Sequence, residues 1–266
     1  MRISLLAIVA LFLTACNTTP NQSTTNEPPL PVEADGGIGD GAPSLPTAFA
    51  MGIEKAHEKD TFSKHQAVSF HIDLNFGGQD RMDGTVTMTT DSKHIRVDRE
   101  DGISVVFNDG EMSLSPEGAN YPGARFDVLT WPYFFALPFK LTDPGTHWQQ
   151  LEEATTPDAM MRAKLTFGEN VGDAPDDWYW VYADQETQLL HMAGYIVTVN
   201  KSVEKAEENP HAIVYSNYQV IDGVPFAAQW EFFNWSVDQG LNGDPIGSAT
   251  LSNIQFTSPD PQFFEL

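Results

Sequence analysis

Residues 68–76 read Val-Ser-Phe-His-Ile-Asp-Leu-Asn-Phe. Val68, Phe70, Ile72, Leu74 and Phe76 occupy every second position, with polar residues between them. Successive side chains of a strand point to opposite faces, so this spacing predicts a half-buried strand. The same rhythm continues downstream at 84–90, 93–99, 103–107 and 110–114. Turn residues such as Asp91-Ser92 and Asn108-Asp109-Gly110 separate these segments. Short strands with tight connections predict an antiparallel meander. Upstream, Thr47 to about Asp60 reads as a helix capped by Thr47, with Phe49, Ile53 and Ala56 sharing one face.

Arg125 to Leu141 interrupts the rhythm. It holds Phe126, Val128, Leu129, Trp131, Tyr133, Phe134, Phe135, Leu137, Phe139 and Leu141, too apolar a set for an exposed loop. Pro132 and Pro138 exclude one uninterrupted helix. Short helical turns crossing one face of the sheet are expected, ending at the turn Asp143-Pro144-Gly145. Strands then resume at about 147–153, 159–167, 177–183, 188–199, 211–220, 224–235 and 248–256. Asp184-Gln185-Glu186-Thr187 joins one pair and Asp222-Gly223 another, Asp-Gly being a strong hairpin signal. About twelve strands against one or two helical segments predict a mainly β chain built on one large, curved antiparallel sheet.

The first sixteen residues carry a different message. Arg2 precedes an apolar run from Leu5 to Leu13, too short for a bilayer span of about 20 residues but proportioned like a secretory h-region. It ends in Leu13-Thr14-Ala15-Cys16, which looks like a lipobox, and Cys16 is the single cysteine of the chain. The expectation is a signal peptide over 1–15, acylation of Cys16, a flexible tether over 16–46 and one domain over 47–266. Asn17 in place of Asp after the lipidated cysteine points to the outer membrane. One cysteine leaves no structural disulfide in the domain, and 41% hydrophobic residues suffice for a core without one. With 37 acidic residues against 14 basic ones, the surface repels nucleic acid and anionic head groups. Membrane residence must then come from acyl chains on Cys16.

Catalytic motifs are few. His57-Glu58 is followed by Lys59-Asp60-Thr61, so no His-Glu-x-x-His zinc motif forms, and no Gly-x-Ser-x-Gly elbow occurs. Gly36-Gly37-Ile38-Gly39-Asp40-Gly41 lacks the preceding strand and following helix of a nucleotide loop. Asp173, Asp176 and Asp177 read as a solvated turn, and His65 with His71 as surface histidines. No metal site and no cofactor are expected. The aromatic residues say more. Trp178, Trp180 and Tyr182 alternate on one strand face with Tyr179 and Val181 on the other; Trp230 and Phe232 share a face with Phe233 and Trp235 opposite. Strands apolar on both faces are buried on both sides or line a cavity on one. Either a thick core beneath Arg125–Leu141 or an apolar cavity partly covered by it satisfies the pattern. For the cavity, the expected lining is Trp131, Phe134, Phe135, Phe139, Trp178, Trp180, Trp230 and Phe232.

The order of lipobox, tether, helix, meander and aromatic segment resembles a family of Gram-negative lipoproteins similar in fold to the carriers and receptors of the Lol system. Tyr133-Phe134-Phe135-x-Leu137-Pro138-Phe139-Lys140-Leu141-x-Asp143-Pro144-Gly145 is the most specific element, followed by Tyr182-Ala183-Asp184-Gln185-Glu186-Thr187. The resemblance covers roughly residues 47–266. It implies an unclosed half-barrel of about eleven strands, helices plugging the concave side, a hydrophobic cavity that accepts a lipid or lipoprotein acyl chain, and no catalytic residues. An anchored chain cannot be a soluble shuttle. Two other readings stand beside it: an assembly factor with a filled core that binds a protein partner, and a hydrolase built from scattered Asp, Glu and His.

Overall fold

A computed structural model of the chain describes residues 41–154 and 160–266. The leader, Cys16 and most of the tether lie outside the described residues. Two short helices come first, α1 (Leu45–Ala56) and α2 (Lys59–Phe62), then the strands β1 (Ala67–Phe76), β2 (Gln79–Thr89), β3 (His94–Arg99), β4 (Ser104–Asn108) and β5 (Glu111–Ser115). The helix α3 (Ala124–Ala136) and a 3-10 turn (Leu137–Phe139) lead into β6 (Thr146–Glu153), β7 (Met161–Phe167), β8 (Tyr179–Ala183) and β9 (Leu190–Tyr195). After α4 (Val203–Glu207) the chain closes with β10 (His211–Ile221), β11 (Val224–Ser236), β12 (Gly240–Thr257) and a 3-10 turn (Pro261–Phe264).

The strands form one antiparallel sheet in the order β5-β4-β3-β2-β1-β12-β11-β10-β9-β8-β7-β6. Two meanders are joined where β1 pairs with β12, from Ala67 opposite Thr257 to Phe76 opposite Gly247. The sheet therefore does not close. Its edges are β5 and β6, consecutive in sequence, and the connection between them carries α3 across the concave face. Val68, Phe70, Ile72 and Leu74 of β1 are fully buried against it, as their alternation requires. At the β10–β11 hairpin Asp222 and Gly223 both have positive φ, 49° and 88°, which is the geometry an Asp-Gly hairpin turn needs.

Several local expectations are corrected. Ser44, rather than Thr47, caps α1: its Oγ accepts from Thr47 N, and the helix starts at Leu45 with Pro46 in its first turn. The expected single helix to Asp60 breaks at Glu58, which sits in the left-handed region with φ 56°. Pro132 lies inside α3 without ending it. The lost backbone hydrogen bond and ring clash cost about 3 kcal/mol, but α3 buries Val128, Trp131, Phe134 and Phe135, each contributing about 1.5–3 kcal/mol. Pro138 does end it, in the 3-10 turn. The first half of β12 was not legible because residues 241–245 are exposed and show no apolar alternation.

A second, smaller apolar cluster lies apart from the concave core. Trp178, Trp180, Tyr182, Met192, Ala212 and Trp235 pack there beneath Ala206 of α4. Ser202 caps that five-residue helix by accepting from Lys205 N. Arg162, 5% exposed, is held by Glu152, the Tyr182 hydroxyl and the Val237 carbonyl, with its guanidinium over Trp180 at 4.7 Å. Gly194 of β9 lets the Trp235 ring lie against the backbone, since a Cβ there would meet ring atoms at 2.7 Å. Gly194→Ala is expected to displace Trp235 and lower stability by about 1–3 kcal/mol. Urea denaturation, with tryptophan fluorescence reporting the ring's new environment, measures both effects.

Candidate functional site on the concave face

The structure divides the eight aromatic residues expected to line a cavity. Trp131, Phe134, Phe135 and Phe139 descend from α3 and its 3-10 turn to meet Trp230 and Phe232 of β11 in one core. Trp178 and Trp180 belong to the second cluster, because Tyr179 and Val181 take the inward positions of β8. Alternation set Trp178 and Trp180 on the face opposite Tyr179 and Val181, but it could not say which of these faces pointed inward.

The six rings do not surround an empty chamber. Phe135 stacks on Phe70 at 4.1 Å and on Phe226 at 5.1 Å between ring centroids. Phe139 stacks on Phe62 at 3.9 Å, and Trp131 meets Phe232 edge-on at 5.8 Å. Beside them a hollow lined by His57, Phe135, Tyr215, Tyr218, Phe226 and Trp230 measures about 10 Å³. That is about one probe sphere, the lower limit for a water molecule. The rings of the plug thus occupy the place where the cavity was expected.

Polar groups hold both ends of the plug. At the start of α3, Asp127 is 2% exposed and accepts from Arg81 Nη2 at 3.1 Å, Tyr121 OH at 2.9 Å and Trp131 Nε1 at 2.8 Å. At its end, Glu54 of α1 accepts from Thr142 N at 2.7 Å, Thr142 Oγ1 at 2.6 Å and Lys59 Nζ at 2.7 Å. Tyr215 donates to the Phe134 carbonyl at 3.0 Å. Burial pushes the phenols of Tyr215 and Tyr218 far above their usual range, so both stay protonated as donors. Nothing in the sequence marked Glu54, His57 or Asp127, since a contact across 88 or 46 residues leaves no local pattern.

His57 is fully buried at the junction of α1 and α2, and its Nε2 accepts from Leu190 N at 3.0 Å. Burial lowers its pKa from 6.5 to about 4. It is neutral, with its proton on Nδ1. Among the described residues no three His, Cys, Asp or Glu side chains converge as metal ligands. The acidic turn is divided, Asp173 pairing with Arg125 and Asp177 accepting from Thr198. His65 stacks on Phe256 and lies before β1, whereas His71 in β1 contacts Asp83 at 3.1 Å.

No protein family model and no curated protein matches the chain. Among solved structures, a LolA superfamily protein from Nitrosomonas europaea superposes with a TM-score of 0.53 at 10% identity, covering 83% of this chain and 97% of that one. The fold is LolA-like. Two further structures are similar over comparable lengths. A DUF1329 family protein from Desulfovibrio piger has a TM-score of 0.48 at 14% identity, with 81% and 96% coverage. A domain described as an outer membrane lipoprotein-sorting protein, from Vibrio parahaemolyticus, has 0.44 at 9%, with 82% and 97%. In this LolA-like sheet the concave side carries the aromatic core, and the plug is its cover.

Two measurements check this description. Asp127→Ala leaves Arg81, the half-buried Tyr121 hydroxyl and the buried Trp131 Nε1–H without their acceptor, and should cost about 3 kcal/mol by chemical denaturation. His57 gives the fold an acid sensitivity of known sign. Its folded pKa lies below the unfolded value, so its contribution is fully present above pH 6.5 and is lost as the pH falls to about 4. The loss amounts to about 3 kcal/mol. His211, also lowered by burial, adds in the same direction. His57→Gln should flatten the stability profile in that window.

Proposed function

We infer that this protein is a non-enzymatic, membrane-tethered module whose half-barrel binds a lipid or the acyl chain of a lipidated ligand in the cell envelope. One observation carries the reading: the cover of the concave aromatic core contributes no strand to the sheet. α3 takes no ladder hydrogen bond, so it can move away while all twelve strands stay paired. The energies are of matching size. Exposing Trp131, Phe134, Phe135 and Phe139 costs about 6–12 kcal/mol at about 1.5–3 kcal/mol each. An acyl chain of about 14–16 carbons recovers a similar amount at about 0.8 kcal/mol per buried CH2. A formal charge of −23 disfavours anionic head groups and leaves neutral or zwitterionic lipids and acylated proteins as ligands. Acylation at Cys16 would hold the module at the outer membrane.

Native mass spectrometry of the purified, unlipidated chain tests the binding. A single lysophosphatidylcholine per chain is expected. Phe135→Ala should raise its occupancy while lowering stability by about 3–5 kcal/mol. A chain that never takes up lipid in either form overturns the reading. The anchor has its own test: Cys16→Ser should move the protein from the membrane to the soluble fraction.

A second reading has a specific observation in its favour. The concave core is filled, its hollow holding only about 10 Å³. A permanently filled half-barrel would serve as a rigid scaffold that binds a protein partner, and it predicts lipid-free chains throughout.

A further inference from the structure

The sheet is not paired evenly along its length. β9 and β10 form ladder pairs only from Tyr195 opposite His211 to Met192 opposite Val214. Beyond that point β10 runs on to Ile221, whereas β9 extends back only as far as Leu190. Asn217 of β10, three residues past the last ladder pair, has φ 52°. The backbone of Leu190 is satisfied by side chains instead of by β10: its N–H donates to His57 Nε2 and its carbonyl accepts from Tyr218 OH. His57 sits at the α1–α2 junction, next to the left-handed Glu58, and the two helices pack on opposite sides of the seam, α1 on β6 and β7 and α2 on β11. Opening the seam there would flex one helix junction and release the two side-chain hydrogen bonds on the Leu190 backbone, while the ladder from Tyr195–His211 to Met192–Val214 stays paired.

The hollow of about 10 Å³ is lined by the groups that close this seam. One polar group lining it lacks a partner. His57 Nδ1–H is fully buried and lies beside the Pro225 carbonyl without reaching hydrogen-bond geometry. Tyr215 and Tyr218 already donate elsewhere. The lining holds one free donor and no cation, so a buried carboxylate or phosphate would be left uncompensated. A single neutral acceptor fits.

We propose that the β9–β10 seam is where an acyl chain enters the half-barrel, and that His57 Nδ1–H takes the carbonyl oxygen of its ester or amide. This rests on the lipid-binding reading and adds to it the route and the polar contact.

The test compares 1-myristoyl lysophosphatidylcholine with its ether-linked analogue, which lacks the carbonyl, on the full-length chain carrying Cys16→Ser. The ester should bind about five- to tenfold more tightly, the range of one neutral hydrogen bond. His57→Phe should abolish that preference while the ether still binds; the wild-type ester and ether pair decides the matter if the variant fails to fold. A diazirine placed near the ester should label residues 188–191 and 215–218. Equal binding of ester and ether, or labelling confined to β5, β6 and residues 116–145, overturns the seam and leaves the lipid-binding reading standing. Failure of both lipids to bind overturns the two together.

Discussion

Phe135 is clamped between Phe70 of β1 and Phe226 of β11, its ring stacked on both. β12 lies between those two strands, so one side chain of the plug spans the join between the meanders. An open sheet of twelve strands has no closure to fix its curvature. Here the curvature is set by what fills it. Trp131, Phe134 and Phe139 extend the contact along the plug, and the carboxylates of Asp127 and Glu54 pin its two ends. Apolar stacking gives the plug its energy, while the buried polar pairs give it one position.

The same arrangement explains how the fold tolerates features that single elements would reject. Pro132 survives within α3 because the helix is held by tertiary packing rather than by its own hydrogen bonds. Gly84 admits β3 at close range, since a Cβ there would lie 2.5 Å from the Asp98 carbonyl oxygen. The two faces of the sheet also differ in how they are held. One cluster, with Trp178, Trp180 and Arg162, is locked by cation–π contacts and a short capped helix. The concave core is covered only by elements outside the sheet.

Much of the sheet could be read from residues because alternation is a local property. Val68 to Phe76 and the Asp222-Gly223 turn announced β1 and the β10–β11 hairpin directly. The strand count followed from turn spacing, and the aromatic segment was placed on one face of the sheet by its composition. What alternation cannot supply is the sign of a face, so Trp178 and Trp180 were grouped with Trp230 although they point the other way. Nor can it supply volume: eight large rings are compatible with a lined cavity or a filled one, and only their mutual distances decide. His57, Asp127 and Glu54 act through long-range contacts and carry no sequence pattern at all. The leader, Cys16 and the tether rest on motif chemistry and stand apart from the described fold.

The central claim is that the plug is a separable cover on a sheet that persists without it. Native-state amide hydrogen exchange across low denaturant concentrations tests this most directly. The account predicts that the amides of α3, residues 124–136, open through a sub-global step of lower free energy than those of β1 and β12. Exchange of α3 only through the same global unfolding as the central strands would contradict it.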